Sequence, residues 1–304
     1  MATTAQWIAG TRPRTLPAAV VPVAVGAAVA YFLNAPLGGF AFGFRTALAL
    51  IVSLALQVGV NYANDYSDGI RGTDEVRVGP VRLVGQQLAK PGEVKRAALA
   101  SFAVAGLAGL ALVLLTGAWW LLLVGACAIV AAWFYTGGPR PYGYAGLGEL
   151  FVFVFFGLVA VAGTTFVLTG RIEFLAVVMA VPIGLFACAL LIINNLRDIP
   201  GDTAVGKRTL AVRIGDQQTR ALYGIAIGLP FAIAVVVGFA GIAFESTFPA
   251  GALIAVIALP FALAPWKTVR SGALGPDLIP VLAATGRLQL AYGLLLTVGI
   301  FASR

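Results

Sequence analysis

Residues 46–70 read TALALIVSLALQVGVNYANDYSDGI. From 46 to 60 the side chains are almost wholly apolar, and then Asn61, Asn64, Asp65 and Asp68 arrive together. A hydrocarbon core about 30 Å thick needs roughly 20 apolar residues in a helix, so the run reads as a membrane crossing with polar groups at its end. Positions 61, 64, 65 and 68 follow i, i+3, i+4, i+7 and share one helix face. Such residues are either caps and solvated loop groups or a built site. The rest of the chain has to decide.

Composition sets the class. The chain of 304 residues is 60% hydrophobic and only 11% charged, with a mean hydropathy of +0.97. Soluble domains carry roughly 25% charged residues, so this is an all-α polytopic membrane protein, read as one domain over 1–304. There is no histidine, which excludes an imidazole base, imidazole haem ligation and histidine zinc chemistry. Cys127 and Cys188 lie in separate apolar runs and build neither a disulfide nor a thiolate framework. Any metal must therefore be held by oxygen. The opening segment, MATTAQWIAGTRPRTLP, is polar and arginine-bearing before the first apolar run, unlike a cleaved signal peptide.

Apolar runs bounded by charge, Gly or Pro predict nine spans, at 18–33, 46–64, 97–115, 118–136, 147–169, 174–196, 220–240, 249–266 and 282–301. The connections at 65–96, 137–146, 197–219 and 267–281 fall on one side with the N-terminus. Of the 20 Lys and Arg, all but Arg45, Arg171 and Arg304 lie there. The positive-inside rule makes that side cytoplasmic, in a plasma (inner) membrane. Topology thus accounts for the net charge of +8 without a nucleic-acid partner. Of the 12 acids, all but Glu173 and Glu245 share that side, although the rule places no demand on acids.

Those acids gather in two places. The second is NNLRDIPGDTAVGKRTL (194–210), where Asn194, Asp198 and Asp202 are spaced i, i+4, i+8. Pro200 and Gly201 are expected to break the helix and leave Asp202 on a loop. Asn64/Asp68 and Asn194/Asp198 repeat one Asn-x-x-x-Asp spacing on spans of the same direction, as a parallel internal repeat would. Carboxylates held close repel unless a cation joins them. Mg²⁺ takes hard oxygen ligands and is commonly held by one or two carboxylates plus substrate phosphates. Asn61, Asn64, Asp65, Asp68, Asn194, Asp198 and Asp202 are the candidate ligands. Arg71, Arg77, Arg82, Lys207 and Arg208 are candidates for the remaining charge of a diphosphate.

The two acidic motifs, NDYSDG and DIPGD, together with nine spans and charged loops on one side, resemble the UbiA-type intramembrane aromatic prenyltransferases. RPRTLPAAVVPVAVG (12–26), ANDYSDGIRGTDEVRVGPVRLV (63–84) and NNLRDIPGDTAVGKRTLAVRIG (194–215) are most similar to the members that act on 1,4-dihydroxy-2-naphthoate in menaquinone synthesis. In one respect the chain departs from many relatives: their next aspartate falls where this chain has Gly72, and Asp74 follows two residues later. The resemblance implies a helical ring around a cavity capped by 65–96 and 197–219. It implies Mg²⁺-dependent transfer from a polyprenyl diphosphate, with Asp68, Asp198 and Asp202 catalytic, loss of diphosphate and CO₂, and demethylmenaquinone as product. Acceptors such as 4-hydroxybenzoate, homogentisate, haem or chlorophyllide are alternatives within the family. A transporter is the alternative of another class, disfavoured because the charges sit at helix ends and not at mid-depth.

Smaller signals complete the reading. Arg12 and Arg14 are either topological charges or, as the resemblance suggests, contacts to an anionic substrate. In WFYTGGPRPYGYAGLGE (133–149), Tyr135, Tyr142 and Tyr144 suit an interfacial belt, and Tyr135 alternatively faces a developing cation through its ring. Arg140 is a candidate partner of Glu149 or of substrate. A lipid tail would leave sideways, and the opening is expected between spans one and nine.

Overall fold

The computed structural model describes residues 2–72, 81–244 and 247–304, so Asp74, Arg77 and Glu245 lie outside the described residues. Among the described residues every regular element is helical. A short helix, α1 (Thr4–Gly10), opens with a capping box in which Thr3 and Gln6 satisfy each other's backbone N–H groups. A 3₁₀ turn, Pro13–Thr15, leads into α2 (Pro17–Phe32), at 51° to the segment before it. Then come α3 (Gly39–Ile70), α4 (Pro91–Thr116) and α5 (Leu121–Phe134). After a turn at Tyr142–Ala145, α6 (Gly148–Val152) runs through a π segment, Phe153–Val159, into α7 (Ala160–Thr169). The chain ends with α8 (Phe174–Ala204), α9 (Leu210–Ala243), a 3₁₀ stretch at Ala250–Ala258 continuing as α10 (Leu259–Arg270), and α11 (Leu278–Ala302).

Seven of these helices, or eight with the bent α1–α2 pair, are long and apolar enough to cross a membrane, and α5 is a shorter apolar helix. The nine predicted spans therefore each have a counterpart. Their polar ends do not stop where expected. Helix α3 continues past 64 to Ile70 and carries Asn61, Asn64, Asp65 and Asp68 in regular geometry. Helix α8 runs through Pro200 to Ala204. A proline removes one N–H and disturbs the turn before it, which a helix tolerates near its last turn. Asp202 consequently stays on α8, one further turn along from Asp198, and not on a loop.

Packing divides the molecule. Helices α2, α8, α9, α10 and α11 form the densest part, around fully buried Phe186, Tyr223 and Tyr292. Small residues let helices approach there: a Cβ on Gly157 would come within 2.7 Å of the Gly184 Cα. On the opposite side α3 lies along α4, and a Cβ on Gly59 would meet the Phe102 ring at 2.5 Å. At the end away from the acidic clusters, Arg45 donates to Leu115 O at 2.8 Å and Val167 O at 2.9 Å, satisfying terminal carbonyls of α4 and α7. Between the two halves lies the cavity described next.

Candidate active site

A cavity of about 590 Å³ is lined by residues of α2 to α8, together with Arg12, Thr15, Arg82, Lys207 and Thr209 near its mouth. Deep in the helical layer its walls are apolar. Toward the charged end they become polar, and there the two acidic clusters meet. Asp68 on α3 is buried; its Oδ1 accepts the Tyr144 hydroxyl at 2.5 Å and lies 3.7 Å from Lys207 Nζ. Arg82 Nη1 is 4.0 Å from its other oxygen. The same Lys207 ammonium lies 4.0 Å from Asp202 Oδ1, so one cation links α3 to α8. It also sits over the Tyr144 ring, 4.4 Å from the centroid.

The sequence candidates do not all stand in this arrangement. Asn61, Asn64, Asp68, Arg82, Tyr135, Asn194, Asp202, Lys207 and Arg12 border the cavity. Asp65 does not: Leu83 N donates to it at 2.6 Å and Val84 N at 3.1 Å, so it anchors the connection after α3. Asn61 donates to Thr11 O at 2.9 Å, and Asn64 accepts from Thr136 Oγ1 at 2.8 Å. Asn194 donates back to Leu190 O at 3.1 Å within its own helix. Asp198 is held by its neighbour Arg197 in a bidentate pair at 2.7 and 2.9 Å. Arg14, Arg140 and Arg208 are exposed, and Arg71 donates to the carbonyls of Thr136 and Gly138. Glu149 turns to Asn195, whose Nδ2 donates to it at 2.8 Å, and not to Arg140.

Sequence reasoning missed Tyr144 and Arg197. Tyr144 lies 76 positions from Asp68, beyond any local spacing rule, and its membership of a tyrosine-rich turn suggested only a belt. Arg197 is buried and lines the cavity, whereas its place among the basic residues of one side suggests only a topological charge. In the same turn Tyr142 donates to Ala131 O at 2.8 Å, and burial pushes its hydroxyl above the ordinary tyrosine range, so it remains a donor.

The side opening is also misplaced by the sequence. Helix α11 packs closely on α2, with Gly293 against Val21 and the Tyr31 and Phe301 rings 4.9 Å apart, which closes the seam between spans one and nine. The cavity instead extends between α5 and the α6–α7 span. Gly125 on α5 and Gly163 on α7 line it there, and a Cβ on either would meet nothing within 4 Å. Trp120 on Phe166, at 4.9 Å, and Tyr142 on Phe151, at 4.1 Å, bound that stretch at its two ends.

Among the described residues no three of His, Cys, Asp and Glu cluster closely enough to cage a metal ion. The donors are nonetheless the right kind for Mg²⁺: carboxylate and amide oxygens on two facing helices, with cations beside them. Mg²⁺ typically takes few protein carboxylates and completes its shell with water and phosphate oxygens.

The model of the UbiA prenyltransferase family matches residues 19–274. The chain belongs to the UbiA prenyltransferase family. As a UbiA prenyltransferase it is a membrane enzyme that transfers prenyl groups. It is 49% identical over 294 residues to the 1,4-dihydroxy-2-naphthoate octaprenyltransferase of Mycobacterium tuberculosis, covering 97% of this chain and 96% of that one. To the Escherichia coli protein of the same name it is 39% identical over 223 residues, 71% of each chain. The fold matches solved UbiA homologues: one from Aeropyrum pernix K1 with a TM-score of 0.68, 15% identity and 94% and 97% of the two chains covered. Another, from Archaeoglobus fulgidus and bound to GPP and Mg²⁺, has a TM-score of 0.63 at 15% identity, with 96% and 99% covered.

Proposed function

We propose that this UbiA prenyltransferase joins a polyprenyl diphosphate to 1,4-dihydroxy-2-naphthoate at the cytoplasmic face of the plasma membrane. The observation that carries the reading is Lys207 placed between Asp68 and Asp202 at the mouth of an apolar cavity. Relatives named for this naphthoate acceptor, at up to 49% identity, support the choice of substrate.

The mouth suits a diphosphate. Asp68, Asp202, Asn64 and Asn194 would hold Mg²⁺, which when bound neutralises diphosphate and makes it a better leaving group, while Asp198 orients Arg197 beside them. Arg82, Arg197 and Lys207 lie in the same mouth and bind the remaining phosphate charge. Tyr144 orients Asp68 through its 2.5 Å hydrogen bond and steadies Lys207 against its ring. Below them the wall of Tyr135, Phe155 and Phe156 excludes water from the allylic carbon as its bond to diphosphate oxygen breaks. The Tyr135 ring face stabilises the resulting positive charge.

The acceptor attacks through the ring carbon that carries the carboxylate. One electron pair of the ring forms the new carbon–carbon bond. The pair of the carboxylate bond returns to the ring as CO₂ leaves, giving the reduced form of demethylmenaquinone. No ring proton has to be removed, which suits a site without histidine. The tail leaves through the glycine-lined stretch between α5 and α7, since each methylene kept from water is worth about 0.8 kcal/mol.

Purified protein offered one polyprenyl diphosphate and, separately, the dihydroxynaphthoate, 4-hydroxybenzoate and homogentisate tests the assignment. The naphthoate should be consumed fastest, with CO₂ and diphosphate in equal amounts and no turnover in EDTA. Preference for 4-hydroxybenzoate, or naphthoate prenylation without CO₂, would overturn the acceptor.

A further inference from the structure

Glu149 opens α6 inside a membrane-crossing span, where an acid is costly and hydrocarbon gives it no compensation. One of its oxygens accepts Asn195 Nδ2 at 2.8 Å, and the other, Oε2, is buried without a partner. Fastening this span to α8 does not require the pair, because the close approach of Gly157 to Gly184 already joins them. What the pair does settle is the orientation of Asn195. With its nitrogen committed to Glu149, the amide oxygen is the group that Asn195 offers to the cavity it lines. Asn195 sits about one turn of α8 deeper than Asp198. A Cβ on Gly148 would come within 3.3 Å of the Tyr135 hydroxyl, so Tyr135 and Glu149 meet where α6 begins.

Among the described lining residues the carboxylates are those of Asp68 and Asp202, both at the mouth. Charge that develops deeper, at the allylic carbon, has no acid facing it there. An amide oxygen suits that place better than a carboxylate. Its dipole attracts a carbocation, whereas an ionised carboxylate would be alkylated by one. Glu149 stands behind Asn195, outside the lining, and stays clear of that reaction.

We propose that Asn195 is a catalytic residue whose amide oxygen stabilises the positive charge on the allylic carbon, and that Glu149 is the positioning residue that turns this oxygen toward it. The electron pair of the breaking carbon–oxygen bond leaves with diphosphate; Asn195 forms no bond and gives up no proton. Because Glu149 fixes the dipole before the reaction, nothing is lost in turning it. The inference rests on the donor reading above, adds the polar group that acts on the cation itself, and makes no use of the acceptor's identity.

The test is steady-state and single-turnover kinetics on purified full-length protein, with a polyprenyl diphosphate and whichever aromatic acceptor wild type consumes fastest. Asn195→Leu should lower kcat and the single-turnover rate at least about tenfold and leave both KM values within about twofold, as for an interaction made only in the transition state. Glu149→Leu should match it. Glu149→Gln keeps an oxygen for Asn195 Nδ2 and should stay within about threefold of wild type. The double variant Asn195→Leu/Glu149→Leu strands no buried polar partner, so it remains measurable where a single variant fails to fold. Its rate should fall as far as that of a single variant and no further. A wild-type rate in the double variant would overturn the proposal. So would a loss carried by either KM, an additive effect, or a Glu149→Gln variant as slow as Glu149→Leu. The expected losses with an acceptor other than the naphthoate would reject the acceptor assignment and leave the role of Asn195. Absence of prenyl transfer by wild type to any acceptor would reject the donor reading and the proposal with it.

Discussion

Asp68 is the residue on which the site turns: it receives the Tyr144 hydroxyl, Lys207 and Arg82 within one buried pocket. A hydrogen bond to a charged group is worth about 1.5–3 kcal/mol. Tyr144→Phe keeps the ring under Lys207 and removes only the hydroxyl, so kcat/KM should fall by roughly ten- to a hundredfold with the fold intact, as steady-state kinetics and thermal unfolding will show. Arg197→Gln or Lys207→Gln should raise the donor KM by a similar factor and leave acceptor binding alone; unchanged donor kinetics in both would make them topological charges. Asp65 belongs to a different class. Losing a carboxylate that holds Leu83 N and Val84 N strands buried donors at about 1–3 kcal/mol, so Asp65→Ala should lower the melting temperature as well as activity. The face shared by 61, 64, 65 and 68 was readable from spacing alone. What spacing does not carry is which of these residues turns to the cavity and which turns to the chain, because that depends on partners such as Leu83, Thr136 and Thr11.

At the scale of elements, the polar ends of α3 and α8 are helical where the sequence suggested an early stop. Pro200 and Gly201 looked like breakers, yet a single lost hydrogen bond near the last turn does not end a helix whose preceding turns are buried. Span positions were legible because hydrocarbon thickness imposes a length on every crossing. The side opening was not, since which helices touch depends on packing between residues far apart, such as Val21 with Gly293. The glycines at 125 and 163 make the new location testable. Gly163→Leu or Gly125→Leu should fill open space at little cost in stability while obstructing the tail. A series of donors from short to long should show wild-type rates for the shortest and a steep loss for the longest. Equal loss at every length would place the tail elsewhere.

For the whole molecule, a dense bundle of α2 and α8 to α11 supports a cavity formed with α3 to α7, charged at one end and apolar within. On the proposed reading this division would keep diphosphate at the aqueous edge and the isoprenoid in lipid, which would account for acids as well as bases gathering on one side. The central claim is that two carboxylates on separate helices, brought together at the cavity mouth, make diphosphate leave. Mg²⁺-dependent diphosphate release from polyprenyl diphosphate and naphthoate, measured on purified Asp68→Ala and Asp202→Ala variants, tests it most directly. We expect release to fall at least about a thousandfold in each, with each variant still unfolding in a single cooperative transition in detergent. Release within tenfold of wild type in both variants would contradict it.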